Sequence, residues 1–250
     1  MIAASIYVIT LNEEHHLKRM LESVKDFNEI IIVDSGSQDK TLEIAKEYTQ
    51  NIFNQEWLGF SGQKELARSY CSNEWVLNLD ADEELSSELK VEILQTIESN
   101  TIDGLDIKIS SQYMGEFNNT LSKFNRRIRF FRKDKGYYPP KKVHESIVVE
   151  GKTKKADGFI YDYGLVDLKT HINKINDYSS LRVEEKLTKG KKASLLKLLL
   201  VFPLAFFKSY ILKRGFLNGV RGLISAVNNA YYAFLKEAKL YEAGCLIKRT

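Results

Sequence analysis

Cysteine is nearly absent from this 250-residue chain: Cys71 and Cys245 stand far apart and form neither a CxxC pair nor a disulfide framework. A reducing compartment suits such a chain, and a cysteine-based metal or redox motif is excluded. The first ten residues carry no basic stretch and no small-residue cleavage site, and they run straight into a strand-like segment, so export is not expected. Repeats and low-complexity tracts are missing too. A bilayer-spanning helix needs about 20 apolar residues, and the tail run Leu198–Phe207 offers only ten uncharged residues between Lys197 and Lys208. What is present is ordinary globular material, 44% hydrophobic and 28% charged, enough to bury a substantial core.

The net charge of +4 conceals an asymmetry. Residues 1 to 165 hold 21 Lys and Arg against 27 Asp and Glu, whereas residues 166 to 250 hold 16 against 6. An acidic front part is joined to a basic tail, which directs anionic partners to the tail. No recognised nucleic-acid motif accompanies that charge, so nucleic acid is not an expected partner.

Short apolar strands alternate with helical patterns over the first 110 residues, the signature of a mainly parallel α/β sheet. Strands are expected at Ala4–Thr10, Glu29–Asp34, Asn51–Phe53, Trp75–Leu79 and Leu105–Ile109. Leu17, Leu21 and Val24 mark one intervening helix, and Leu42, Ala45 and Tyr48 another. Ser37 or Asp39 is a cap for the second, and Ser86 for a helix through Leu89, Ile93 and Ile97. Basic, irregular sequence follows, with short strands at Ile128–Arg132 and Ser146–Glu150. Beyond Leu165 the pattern is helical, with stripes Leu168, Ile172, Ile175, Tyr178 and Phe216, Val220, Leu223, Val227, Tyr231, Phe234. The expected division is therefore residues 1–165, a catalytic α/β part, and residues 166–250, a basic helical module.

Ligands of open parallel sheets bind beyond the carboxyl ends of the strands, and three of these strands end in polar groups. They lead into Thr10-Leu11-Asn12-Glu13-Glu14, Asp34-Ser35-Gly36-Ser37 and Asp80-Ala81-Asp82-Glu83. Helix capping explains any one of them; three in succession point to a site. The sharpest is Asp80-Ala81-Asp82, because Mg²⁺ and Mn²⁺ prefer carboxylate oxygens and share their shell with phosphates. A solvated acidic turn is the plainer alternative there. Lys64 and Arg68 lie one helical turn apart, and a solvated helix face accounts for Arg68. Arg126, Arg127, Arg129 and Arg132 suit phosphate contact or a basic edge strand, with alternation pointing Arg127 and Arg129 one way.

Ile9–Glu14, Val33–Thr41 and Leu79–Glu83 resemble, in order and separation, three hallmark segments of glycosyltransferase family 2. Trp57-Leu58-Gly59-Phe60, Gln63-Lys64, Arg129-Phe130-Phe131-Arg132, Val143-His144-Glu145 and Gly215-Phe216-Leu217-Asn218-Gly219 carry the likeness along nearly the whole chain. This closer set resembles the lipopolysaccharide core glucosyltransferase subgroup. The resemblance implies a GT-A fold, a Rossmann-like sheet flanked by helices, with a nucleoside-diphosphate sugar donor, Mg²⁺ or Mn²⁺, and inversion at the anomeric carbon. Thr10, Asn12 and Glu13 would line the nucleoside pocket, Asp34 with Ser35 would meet the base, and Lys64 the diphosphate or donor sugar. Asp80 would face the ribose or the metal, with Ala81 beside it, and Asp82 would bind the metal. Arg129 and His144 would hold an acceptor or phosphate, and Glu145 would take the acceptor proton. No Gln-x-x-Arg-Trp segment follows, which favours single transfer over polymer synthesis.

Lysines at 189, 191, 192, 197, 208 and 213 and Arg214 flank the apolar run, the composition of a helix lying in an anionic membrane interface. The alternative is a helix packed on the catalytic part. The expectation is thus a transferase moving one hexose, such as glucose from UDP-glucose, to a lipid-linked glycan of lipopolysaccharide core type. It would sit peripherally on the cytoplasmic face of a bacterial inner membrane. A sugar-nucleotide pyrophosphorylase would show a Gly-rich loop after the first strand, which is missing. A carbohydrate-binding protein with a decayed site would have lost a carboxylate at Asp34, Asp80 or Asp82, and all three stand.

Overall fold

The computed structural model describes residues 1–139, 147–164 and 167–247. They form two compact units: Met1–Ser111 with Asn125–Gly164, and Gln112–Phe124 with Leu165–Thr250. The segment Gln112–Phe124, expected with the sheet, groups with the helices instead.

In the first unit the chain runs β1 (Ile2–Thr10), α1 (Leu17–Val24), β2 (Phe27–Asp34), α2 (Thr41–Lys46), β3 (Ile52–Asn54), α3 (Phe60–Ser69) and β4 (Trp75–Asn78). It continues through β5 (Glu83–Leu85), α4 (Ser87–Ser99), β6 (Gly104–Ser111), β7 (Asn125–Arg132), β8 (Gly136–Tyr137), β9 (Val148–Val149) and β10 (Thr153–Asp162). Eight strands make one sheet in the order β3-β2-β1-β4-β7-β6-β10-β5, and β8 pairs with β9. β3, β2, β1 and β4 are mutually parallel; β7 runs antiparallel to β4 and β6, and β5 to β10.

β1 and β2 are nearly continuous apolar runs because helices cover both faces of the sheet. Alternation sends Ile6, Val8, Ile30, Ile32 and Leu77 into one core with Leu17, Met20 and Leu21 of α1 and Leu89 and Ile93 of α4. It sends Tyr7, Ile31, Val33 and Val76 into a second core with Ala67 of α3 and Phe131. Each such aliphatic side chain, fully buried, contributes roughly 1.5–3 kcal/mol. Ser86 caps α4 as its position predicts, accepting from the Leu89 amide at 3.2 Å. At α2 the residue just before the helix, Lys40, makes no side-chain cap; Asp39, one of the two expected caps, accepts from the Thr41 amide at 2.9 Å, while the Ser37 hydroxyl donates to Asp34. In β7 the register against β6 shifts between Phe130 and Ile128, a bulge that takes Arg129 out of the simple alternation expected for it.

The second unit consists of α5 (Leu168–Thr188), α6 (Leu195–Phe207), a π-helical turn Lys208–Leu212, a 3-10 turn Gly215–Asn218 and α7 (Gly219–Ile247). α7 packs on α5 and α6. Glu237, buried on α7, pairs with Lys186 at 2.6 Å and Lys197 at 3.1 Å, and Lys239 Nζ donates to the Asn176 carbonyl and the Ser179 and Ser180 hydroxyls. Arg221 and Asn228 hold the Gln112–Phe124 segment through the Tyr113 and Glu116 carbonyls and the Tyr113 hydroxyl. The helical rod continues past the ten-residue run to Leu212. Leu195–Leu212, with a mean hydropathy of 1.9, is long and apolar enough to cross a membrane by length and composition, and none of it is buried.

Candidate active site

The first two strand ends are stitched into a single platform. Thr10 and Asp34 are register partners at the ends of β1 and β2, and the Thr10 hydroxyl donates to Asp34 Oδ1 at 3.0 Å. Buried Asp34 also accepts from the amides of Gly36 and Ser37, both at 2.8 Å, and from the Ser37 hydroxyl at 2.5 Å. Gly36 takes a φ of +101°, which an L side chain rarely adopts. Asn12, left-handed at φ 56°, donates its amide to the Ser37 hydroxyl and accepts the Gln38 amide on its side-chain oxygen, both at 2.9 Å. The Glu13 amide reaches Thr41 Oγ1 at 2.7 Å, while Glu13 Oε2 lies 3.1 Å from His16 Nδ1. Ser35 Oγ accepts from Gln63 Nε2 at 3.0 Å, joining α3 to the platform. Thr10, Asn12, Glu13, Asp34 and Ser35 are thus brought together, with their loops tied by these hydrogen bonds.

At the third end the expected residues assemble into a charge network. Lys64, buried on α3, lies 2.7 Å from Asp80 Oδ1. Buried Arg129 donates to Asn78 Oδ1 at 2.6 Å, Asp80 Oδ2 at 3.0 Å and Glu83 Oε1 at 2.8 Å. Burial alone would raise the Asp80 carboxyl; Lys64 and Arg129 outweigh it and hold that carboxyl well below the ordinary range. Burial pushes Glu83 upward against the pull of Arg129. Among the described residues the buried Arg129 Nε–H has no hydrogen-bond partner, and Arg129 is one of the residues that line a recess of about 350 Å³ with Lys64, Arg126, Arg127 and Tyr138. Arg68 does not join this network; it binds Glu65 and, at 2.6 Å, the Lys133 carbonyl. Ala81, between the two aspartates in the sequence, is buried in the core.

Asp82 stands apart from these cations. Its carboxyl is pushed up to about 6, first by burial and then by the carboxylates of Asp162, Asp80 and Glu13. Asp162, at the end of β10, was missed in the sequence: the strand begins Thr-Lys-Lys-Ala-Asp-Gly, and its register slips between Lys155 and Phe159, which erases the period of two. It accepts from the Ser111 hydroxyl at 2.7 Å and the Gly164 amide at 2.9 Å. Gly164 fits closely between the two aspartates, since a Cβ there would sit 1.9 Å from Asp82 Oδ2 and 3.3 Å from Asp162 Oδ1. Among the described residues no three metal-ligating side chains close into a ready-made cage. His144 and Glu145 lie outside the described residues.

The chain is similar to known proteins. The model of glycosyl transferase family 2 matches residues 5–148, more than half of the chain, and the chain belongs to that family. It is 32% identical to the lipopolysaccharide core biosynthesis glycosyltransferase LpsC of Rhizobium meliloti, over 98% of this chain and 94% of that protein. An uncharacterised glycosyltransferase of Rickettsia typhi is 34% identical over 95% of this chain and 86% of its own length. The crystal structure of S. aureus TarS 1-349 in complex with UDP-GlcNAc superposes with a TM-score of 0.52 at 17% identity, covering 95% of this chain and 89% of that one. The fold is accordingly of the GT-A type, and the chain is a glycosyltransferase.

Proposed function

We propose that this enzyme transfers one hexose from a UDP-hexose such as UDP-glucose, with inversion, to a lipid-linked glycan of lipopolysaccharide core type at the cytoplasmic face of a bacterial inner membrane. The observation that carries this reading is the convergence of three strand ends on one edge of the sheet: an uncharged-and-acidic platform from Thr10 to Ser37 beside the Lys64–Asp80–Arg129 network. The platform offers the nucleoside fixed polar groups. The basic recess next to it, lined by Lys64, Arg126, Arg127 and Arg129, offers donors for the diphosphate or for an acceptor phosphate. The extensive likeness to LpsC supports the acceptor class, and the fold shared with TarS, solved with UDP-GlcNAc, agrees with a UDP-sugar donor.

Asp82 and Asp162 fit a divalent cation, because their mutual repulsion in a buried setting is what Mg²⁺ or Mn²⁺ relieves. Each Asp80 oxygen already meets a cation, Lys64 or Arg129, so we assign Asp80 to the ribose side and the metal to Asp82 with Asp162. When bound, such a cation neutralises the departing diphosphate. Lys64 and Arg129 keep Asp80 ionised and fixed, and Glu145 takes the proton of the acceptor hydroxyl, a role worth about 10²–10⁴-fold.

UDP release from a panel of UDP-sugars with Mg²⁺ or Mn²⁺, followed by transfer to a lipooligosaccharide core, tests the reading. Asp82→Ala should abolish metal-dependent UDP binding in calorimetry while the thermal transition is kept. Unchanged affinity removes Asp82 from the metal site. Glycan binding without hydrolysis of any nucleotide sugar overturns the enzyme reading.

A further inference from the structure

We propose that α6, the two turns after it and the outer stripe of α7 form a monotopic wedge that sinks into one leaflet of an anionic bilayer without crossing it. This deepens the reading above, on which it rests, by naming the surface through which a lipid-linked acceptor is met.

The first observation is that α7 is amphipathic in the inverted sense. Phe216, just ahead of it, and Val220, Leu223, Val227, Tyr231 and Phe234 are all between 37% and 73% exposed. The positions turned inward are Ala226, Asn228, Ala230, Glu237 and Leu240, largely small or polar. A water-facing helix places its apolar stripe inside; this one faces it outward, which suits an apolar medium. The second observation is that α6 has no buried residue, with Leu195, Leu196, Leu199, Leu204 and Phe207 all more than half exposed. The two surfaces join through stacked Phe206 and Tyr210 and the edge of Phe216. Exposed apolar area of this extent marks a contact surface.

Charge identifies the occupant. From Lys189 to Lys236 the chain carries nine Lys and Arg (189, 191, 192, 197, 208, 213, 214, 221 and 236) and no Asp or Glu. Lys189, Lys197 and Arg221 already pair with Glu185, Glu237 and Glu116; a second copy would bring the others against their own kind, whereas anionic headgroups neutralise them. Depth follows from spacing. Lys197 and Lys208 are eleven residues apart, about 16 Å of helix, and the hydrocarbon core is about 30 Å thick. With both lysines at headgroup level the rod lies along one leaflet, and the chain turns back into contact with α6 through α7.

The test is flotation of the full chain with vesicles of phosphatidylethanolamine and phosphatidylglycerol, against phosphatidylcholine alone, with UDP release from UDP-sugar measured on the same samples. Binding should be about tenfold stronger to the anionic vesicles and fall with salt. Val220→Asp with Val227→Asp should weaken it about tenfold at any salt with the melting curve unchanged, and Lys191→Glu with Lys192→Glu should act mainly at low salt. Four results would overturn the proposal: a wild-type chain that floats with neither vesicle; a Val220/Val227 variant that binds like wild type or unfolds; a lipid-free dimer that this variant dissociates; and attachment that resists both high salt and alkaline carbonate, which means a spanning helix. A chain that floats but turns over no nucleotide sugar refutes the transferase reading and leaves the wedge standing.

Discussion

Two residues carry more of this site than their surroundings suggest. Arg129 holds Asn78, Asp80 and Glu83 in one buried fork, and removing one member of such a set leaves uncompensated charge behind. Arg129→Met should therefore cost about 3–5 kcal/mol in urea unfolding, and adding Glu83→Gln should return part of it; additive losses would mean that the fork is not a coupled unit. Gly164 makes the opposite case, because its substitution strikes function more than stability. The atom that an added Cβ meets is the free end of Asp82, which would have to swing aside and so change its position relative to Asp162. Gly164→Ala is expected to lower turnover by about tenfold or more with a melting temperature close to wild type, and normal metal-dependent UDP binding in that variant would separate Gly164 from the metal site. Asp80 and Asp82 were legible as a pair in the sequence. Their separate fates were not, since only the fold brings Lys64 and Arg129 to the first and Asp162 to the second.

At the level of elements, strands with unbroken apolar runs were readable within a few residues, because burial on both faces dictates their composition. β5 and β10 escaped. Glu83-Glu84-Leu85 looks like an acidic turn, and it is a strand because β10 supplies its partner through Ile160, Tyr161 and Asp162. Ser86 binds the two together with α4: its hydroxyl oxygen accepts from the Leu89 amide at 3.2 Å and the Phe159 amide at 3.1 Å. Ser86→Ala leaves both buried donors short and should cost about 1–2 kcal/mol, read from chemical denaturation. A loss below a few tenths would mean that neighbouring groups take over both amides. The α7 stripe teaches a different limit. Its period of 3.6 was plain in the sequence, yet periodicity is identical for a helix that faces a core and one that faces outward.

For the whole molecule, the division of the chain is not a single cut. The sheet holds its own two apolar cores, while Gln112–Phe124, which leaves the sheet after β6 and returns as β7, is held by Arg214, Asn218, Arg221 and Asn228 of the helical unit. Within that segment the Lys123 amide donates to the Lys213 carbonyl at 3.1 Å and the Asn119 amide to Asn218 Oδ1 at 2.6 Å. A chain ended after Gly164 keeps every sheet strand but deprives this segment of those partners. It should still unfold cooperatively, since the cores are complete, and become open to trypsin at Lys123, a bond that the full chain protects because cleavage requires local opening. Mass spectrometry of a limited digest reads this directly. Equal cleavage at Lys123 in both chains would mean that the segment draws its order from the sheet, and the grouping with the helices would then carry no energetic weight.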